Sequence, residues 1–222
     1  MDESLIVVHD IRTSDGEKAT PVIPSFAQAV TGSSLPGEMP RCDVEMLHSL
    51  AHSVLELEGV LSDAPGPLYL EIWLVNEDGI SELNALHMGR SGPTDVLSFP
   101  VDGHPPARRR QAVESTDVKS SGLGSPDSAS APWPSGVPWL LGDVVICPLQ
   151  AEANAIRNGI NLEDEIALLV VHGILHLLGM DHEMEEEAEV MEDRERDLLS
   201  KLWRPSPSTL PSPSTLPSPA TR

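Results

Sequence analysis

The chain has 222 residues, of which 35 are acidic and 14 are basic, so its formal net charge at neutral pH is −21. This acidic excess argues against broad electrostatic binding of nucleic acid, because contacts with phosphate need lysine and arginine. The two cysteines, Cys42 and Cys147, exclude a disulfide scaffold, and no apolar run approaches the length of a membrane span.

Apolar periodicity predicts alternating strands and helices along most of the chain. The turn at Glu77-Asp78-Gly79 precedes a short helix with Ile80, Leu83 and either Leu86 or His87 facing inward. Pro148 in the first turn and Gly159 after the last mark another helix, and Asn161 caps the one that follows. The predicted strands are 4–8, 68–76, 94–100 and 140–146, and the predicted helices are 42–59, 80–88, 148–159, 161–179 and 183–202.

Two stretches rich in Pro and Ser are not expected to pack. One is a disordered insertion at about 102–138, and the other is a tail at 204–222 in which PSPSTL repeats. The remaining residues within 1–203 form a single α/β (α+β) domain. We expect a small mixed sheet of about four strands packed by helices, one of which carries metal ligands.

The most informative segment is HGILHLLGMDH, which contains His172, His176 and His182. The first two lie four residues apart and therefore share one face of a helix. Gly179 can end that helix in a left-handed conformation and return the chain, so that His182 approaches the same point. Three imidazoles around one point predict a catalytic zinc site, one ion per chain, with a fourth position open to water.

The spacing is that of the metzincin peptidases, HExxHxxGxxH, except at the residue after the first histidine. In those enzymes this residue is a glutamate that acts as general base. Here it is Gly173. The chain therefore lacks the obvious water-activating group of a peptidase, and we predict a metal hydrolase of another kind.

Four segments, LNALHMGRSGPTDVLSFP, LGDVVI, VVHGILHLLGMDH and HEMEEEAEVMEDRE, closely resemble the YbeY family of endoribonucleases. The family pattern HGxLHLxGxDH is matched throughout. The resemblance implies a single α/β domain and a zinc-dependent endoribonuclease specific for single-stranded RNA. It also implies action in rRNA 3′-end maturation and ribosome quality control, with rRNA and the small ribosomal subunit as partners. His172, His176 and His182 fall at the positions of the zinc ligands.

One departure from the family lies upstream of the histidines. The family commonly has LNxxYRxKDxPTDVLSF, and this chain places Met88 at the functionally important Arg and Arg90 at the Lys. A thioether offers no hydrogen-bond donor, so Arg90 is our candidate for neutralising the phosphate and binding RNA. Asp181, beside His182, is a candidate for base or supporting chemistry, and a bond to turn backbone is its structural alternative.

Other charged groups have structural alternatives as well. Arg108, Arg109 and Arg110 form a basic run that could hold RNA backbone or simply be solvated in the insertion. The acidic run from Asp181 to Asp197 is typical of a solvated helix surface. Glu165 is assigned to packing or a surface pair, and Asp95 and Asp143 could line a cleft or cap turns.

Three function classes remain. The first is the endoribonuclease, the second a non-catalytic ribosome-assembly factor with a structural zinc, and the third another metal hydrolase such as a peptidase or deaminase. Gly173 and the absence of a PCxxC motif disfavour the third. The N-terminus lacks a secretory or transit pattern, which fits a cytoplasmic protein if the source is bacterial, or a chain whose targeting segment has been removed. An organelle such as a plastid is the eukaryotic alternative.

Overall fold

The structure is a computed structural model that describes residues 5–10, 39–103, 134, 136–181 and 184–204. Most of the insertion predicted at about 102–138, and all of the predicted tail beyond its first residue, lie outside these ranges. The division into a domain over 1–203 and a tail therefore stays a prediction. Among the described helices, none combines the length and apolar character needed to cross a bilayer.

A four-stranded mixed sheet lies at the centre, formed by β1 (Leu5–Asp10), β2 (Leu68–Leu74), β3 (Val96–Pro100) and β4 (Trp139–Ile146). The spatial order is β1-β2-β4-β3. Strands β1, β2 and β4 are parallel to one another, and β3 is antiparallel to β4. The small mixed sheet predicted from the sequence is confirmed.

The described residues contain six α-helices, which are α1 (Val44–Leu57), α2 (Val60–Asp63), α3 (Glu77–Leu83), α4 (Pro148–Asn158), α5 (Leu162–Leu177) and α6 (Glu185–Leu202). All five predicted helices are present, and α2 is an additional single turn. Helix α5 is apolar around most of its circumference because it contacts the sheet on one side and α1, α4 and α6 on others.

The turn predicted at Glu77-Asp78-Gly79 is wrong, because these residues form the first turn of α3. Asn76 has an extended backbone, and its side chain accepts a hydrogen bond from the Gly79 N–H at 2.8 Å. An asparagine cap of this kind satisfies a backbone donor that a helix start leaves unpaired. The two acidic residues that follow also suit the positive end of the helix.

Beyond α3 the chain widens into a π-helical segment, Asn84–Met88, and this changes which side chains face the core. Ile80 and Leu83 are buried as predicted, but Leu86 is 62 % exposed and His87 is also exposed. Each hydrogen bond of a π-helix spans one residue more than in an α-helix, so the following side chains are rotated about the helix axis relative to their predicted positions. Asn84 is buried instead, and its side-chain N–H donates to the Gly92 carbonyl at 2.9 Å.

Helix α5 lies very close to the sheet at Gly173. A Cβ atom placed there would come within 2.5 Å of Val144 Cγ1 and 3.2 Å of Ser98 Oγ. The Ser98 hydroxyl donates to the Gly173 carbonyl at 3.1 Å, which joins β3 to the helix. A glutamate, as found in the peptidases, could not be accommodated there without moving the helix.

The two ends of the predicted insertion are hydrogen-bonded to each other. The Asp102 N–H donates to the Leu140 carbonyl, and the Leu140 N–H donates to Asp102 Oδ2, both at 2.8 Å. The indole N–H of Trp139 donates to the Gly103 carbonyl at 2.9 Å. The segment therefore leaves and rejoins the sheet at one place.

Candidate metal centre

The two helical histidines owe their position to both ends of α5. Asn161 is the N-cap residue, with an extended backbone, although its side chain makes no capping bond to the helix. The other end closes in a Schellman motif. Gly179 has φ 85° and donates to the His176 carbonyl at 2.9 Å, and Met180 donates to the Leu175 carbonyl at 3.0 Å. The left-handed glycine predicted at this position is confirmed.

His172 and His176 lie side by side on the partly exposed face of α5. Their Nε2 atoms are 3.1 Å apart, and their rings are inclined by 77°. Two ligands bonded to one tetrahedral zinc ion at about 2.0–2.1 Å lie roughly 3.3 Å from each other. The separation of the two Nε2 atoms is therefore close to that of two ligands bound to one zinc ion.

A carboxylate from α6 completes this arrangement. Glu195 Oε1 lies 2.5 Å from Nδ1 of His172, with the imidazole side chain 26 % exposed and the carboxylate 12 % exposed. Because an ionised carboxylate can only accept, the hydrogen of a neutral His172 belongs on Nδ1. Its Nε2 then presents a lone pair towards His176. A hydrogen on Nε2 of a neutral His176 would occupy the space between the rings, so metal binding through this atom requires the tautomer with the hydrogen on Nδ1.

The other candidate residues are either exposed or outside the described part of the chain. Arg90 is exposed after the π-helical segment, and its backbone N–H donates to the Asn84 carbonyl at 3.3 Å. No hydrogen bond or ion pair joins it to either histidine within the described part of the chain. Asp181 is exposed just beyond the Schellman motif. His182 and Arg108–Arg110 lie outside the described residues.

Asp95 and Glu165 have structural environments. Asp95 Oδ1 accepts from the Val96 N–H at 2.9 Å, and its Oδ2 accepts from Asn154 Nδ2 at 2.8 Å, which ties the start of β3 to α4. The turn-capping alternative for Asp95 is the one that these contacts favour. Glu165 is 4 % exposed, and burial raises the pKa of its carboxyl group. It is a buried group between helices rather than a member of a surface pair.

Asp143 neither lines a cleft nor caps a turn, because it lies within β4 and is fully buried. It alternates with Val144, which faces α5, so its carboxyl group points to the opposite side of the sheet. There it accepts from the Trp73 indole N–H at 3.3 Å and stands opposite Glu71 on β2. Burial, and then the charge of Glu71, raise the pKa of Asp143 to about 7.

A family model described as "Endoribonuclease YbeY" matches residues 38–203, which is most of the chain. The chain belongs to the YbeY family.

Two bacterial members illustrate how far the similarity extends. The endoribonuclease YbeY of Salinispora tropica is 40 % identical over 167 residues, covering 75 % of this chain and 91 % of that protein. The protein of the same name from Thermobifida fusca is 38 % identical over 164 residues, covering 74 % and 88 %. The solution structure of TM1509 from Thermotoga maritima matches at 27 % identity with a TM-score of 0.44, over 80 % of this chain and 97 % of that one.

Within the YbeY pattern, Glu195 is the site residue that the sequence reasoning missed. It lies in the acidic run that was interpreted as a solvated surface, and most of that run is indeed exposed. Glu195, however, is four residues after buried Met191 and three before buried Leu198, on the apolar face of α6 that meets α5. An acidic residue on an apolar stripe was the available signal.

Proposed function

We propose that this chain is a zinc-dependent endoribonuclease that cleaves single-stranded RNA and acts in rRNA 3′-end maturation and ribosome quality control. The observation that carries the proposal is the 3.1 Å approach of the His172 and His176 Nε2 atoms, with Glu195 on the far side of His172. Membership of an endoribonuclease family supports the choice of RNA as substrate. The small ribosomal subunit is the proposed partner.

Each residue has a defined part in this proposal. The Nε2 atoms of His172 and His176 would hold the ion, and His182 is the proposed third ligand. When bound, zinc supplies a Lewis acid for a phosphoryl oxygen and lowers the pKa of a bound water. Asp181 would accept or deliver a proton at its carboxylate, and the Arg90 guanidinium would neutralise the phosphate.

The principal rival is a ribosome-assembly factor in which zinc is structural. Met88 favours it, because this side chain is 46 % exposed at the position where the family commonly has arginine, and it cannot donate to a phosphate. The two functions differ in what metal removal does. A structural ion contributes directly to folding, so its removal unfolds the chain, whereas removing a catalytic ion leaves most of the fold intact.

The proposal is tested by measuring bound zinc, circular dichroism and cleavage of a short unstructured RNA for the wild type, His176→Ala and His48→Ala. His48 is an exposed histidine on α1, so its replacement controls for loss of an imidazole elsewhere. We expect one zinc and cleavage in the wild type and the control, and loss of both in a folded His176→Ala protein. A folded wild type that binds one zinc and leaves the RNA intact would contradict catalysis and favour the assembly factor.

A further inference from the structure

Helix α6 has eight acidic residues among its 18. One of them, Glu195, faces α5 and contacts His172. Glu195 shares its face with buried Met191 and Leu198, whereas the acidic residues of the first turn are exposed. The position of its carboxylate is therefore determined by the packing of α6 against α5. Packing of this kind restricts the side chain to one position opposite His172.

A second contact fixes α6 against the rest of the molecule. Arg194, the neighbouring residue, donates through Nε to Glu58 Oε1 at 2.6 Å, and it also pairs with Asp197 at 2.5 Å. Glu58 is only 7 % exposed at the end of α1. The helix that carries Glu195 is thus joined to α1 by a charged pair and to α5 by apolar contacts, which limits sliding of the carboxylate along His172.

We infer that Glu195 is the positioning residue for His172, holding the Nδ1–H tautomer so that the Nε2 lone pair faces the ion. This inference rests on the proposed zinc site. A carboxylate that accepts from the distal nitrogen of a metal-binding histidine fixes the ring orientation and increases the ligand's basicity. Loss of such a partner typically weakens metal binding by about 10–100-fold.

Two substitutions separate charge from orientation. Glu195→Gln keeps an oxygen that can accept from Nδ1–H but removes the charge, and Glu195→Ala removes both. We expect zinc affinity, measured by competition with a chromogenic chelator, to fall about tenfold in the first and about 100-fold in the second. Glu192→Gln is the matched control, because Glu192 is exposed on the same helix and its replacement changes the net charge equally. Its affinity should equal that of the wild type.

A spectroscopic measurement distinguishes positioning from general support of the fold. The ¹⁵N shifts of the metal-free wild type at pH 8 should show His172 protonated at Nδ1 alone, and Glu195→Ala should show a mixture of tautomers. The visible spectrum of bound Co²⁺ should change in Glu195→Gln and not in Glu192→Gln. If Glu195→Ala does not fold, Glu195→Gln carries the test by itself.

The outcomes separate this inference from the proposed function. If the wild type binds zinc and both Glu195 variants bind it equally well, the positioning role is overturned while the zinc site stands. If the wild type binds no zinc, the proposed function fails, and the tautomer decides the role of Glu195. A single Nδ1–H form in the wild type that is lost in Glu195→Ala supports the role, and mixed tautomers in the wild type overturn it.

Discussion

Gly173 lies so close to Val144 that a methyl group on the glycine would come within 2.5 Å of the valine Cγ1 atom. The contact sets how closely α5 approaches the sheet, and thereby where the residues on either side of Gly173, including His172, emerge. It also gives a structural reason for the missing glutamate of the peptidase pattern. At this residue the chain uses its smallest side chain for packing rather than chemistry.

We predict that Gly173→Ala lowers the free energy of unfolding by about 1–3 kcal/mol, because overpacking outweighs the better helix propensity of alanine. Urea denaturation of the single variants and of Gly173→Ala with Val144→Ala measures the coupling. The double variant should lose less than the sum of the single losses, since Val144→Ala removes the clashing atoms. Additive losses would show that the two side chains do not compete for this space.

Asp143 predicts a pH dependence of stability with a definite sign. Its folded pKa of about 7 is above the ordinary value of 3.8, so the folded chain binds this proton more tightly than the unfolded chain. The stabilisation is complete below about pH 4 and is lost as the pH rises towards 7, because the unfolded chain then ionises more easily. From this group alone, the free energy of unfolding should fall by on the order of 2–4 kcal/mol over that window.

The variant Asp143→Asn should remove most of this pH slope and unfold at higher urea than the wild type at pH 8. An amide can still accept from Trp73 and can donate to Glu71 opposite it. Glu82→Gln serves as the control, because Glu82 is exposed on α3. Parallel stability curves for Asp143→Asn and the wild type between pH 4 and 8 would show that Asp143 titrates normally.

Gly179 and Gly159 end two helices with the same hydrogen-bond motif, and this permits a matched pair of substitutions. They have φ 85° and 70°, so Gly179→Ala and Gly159→Ala should each cost about 1 kcal/mol on thermal denaturation. Gly179 lies between His176 and the predicted third ligand, His182. Only Gly179→Ala should therefore weaken zinc binding, and equal zinc affinities in the two variants would argue against return of His182 to the site.

Met88 offers a gain-of-function experiment. Its side chain is 46 % exposed, so an arginine can be accommodated there without disturbing the core. Met88→Arg restores the residue common in the family, and a charge-assisted bond to phosphate should raise cleavage about tenfold with zinc binding unchanged. Leu86→Arg, on the same π-helical segment, controls for added charge. Equal cleavage rates in Met88→Arg and Leu86→Arg would show that an arginine at position 88 has no specific effect on cleavage.

The sequence was sufficient to predict the sheet, five helices, the paired histidines and the left-handed Gly179. These features follow from local patterns, namely the periodicity of apolar residues, the spacing of the histidines and the preference for glycine at the end of a helix. The partner of His172 could not be predicted in the same way. Glu195 is 23 residues away and meets the ring only because α5 and α6 pack together.

The misplaced residues have a similar explanation. Either Leu86 or His87 was expected to face inward on an α-helix, but in the π-helical segment both are exposed. Asp143 was expected to line a cleft or to cap a turn, yet it is buried within a strand, where a charge is costly. Its carboxyl group is tolerated because Trp73 donates to it and its raised pKa allows it to remain protonated.

The central claim is that zinc at the His172–His176 pair is catalytic. We would titrate zinc into the metal-free chain and follow the initial rate of cleavage of a single-stranded RNA, with the matching duplex as control. The account predicts that the rate rises from background, saturates at one zinc per chain and is confined to the single strand. Saturable binding of one zinc with no cleavage at any occupancy would contradict it.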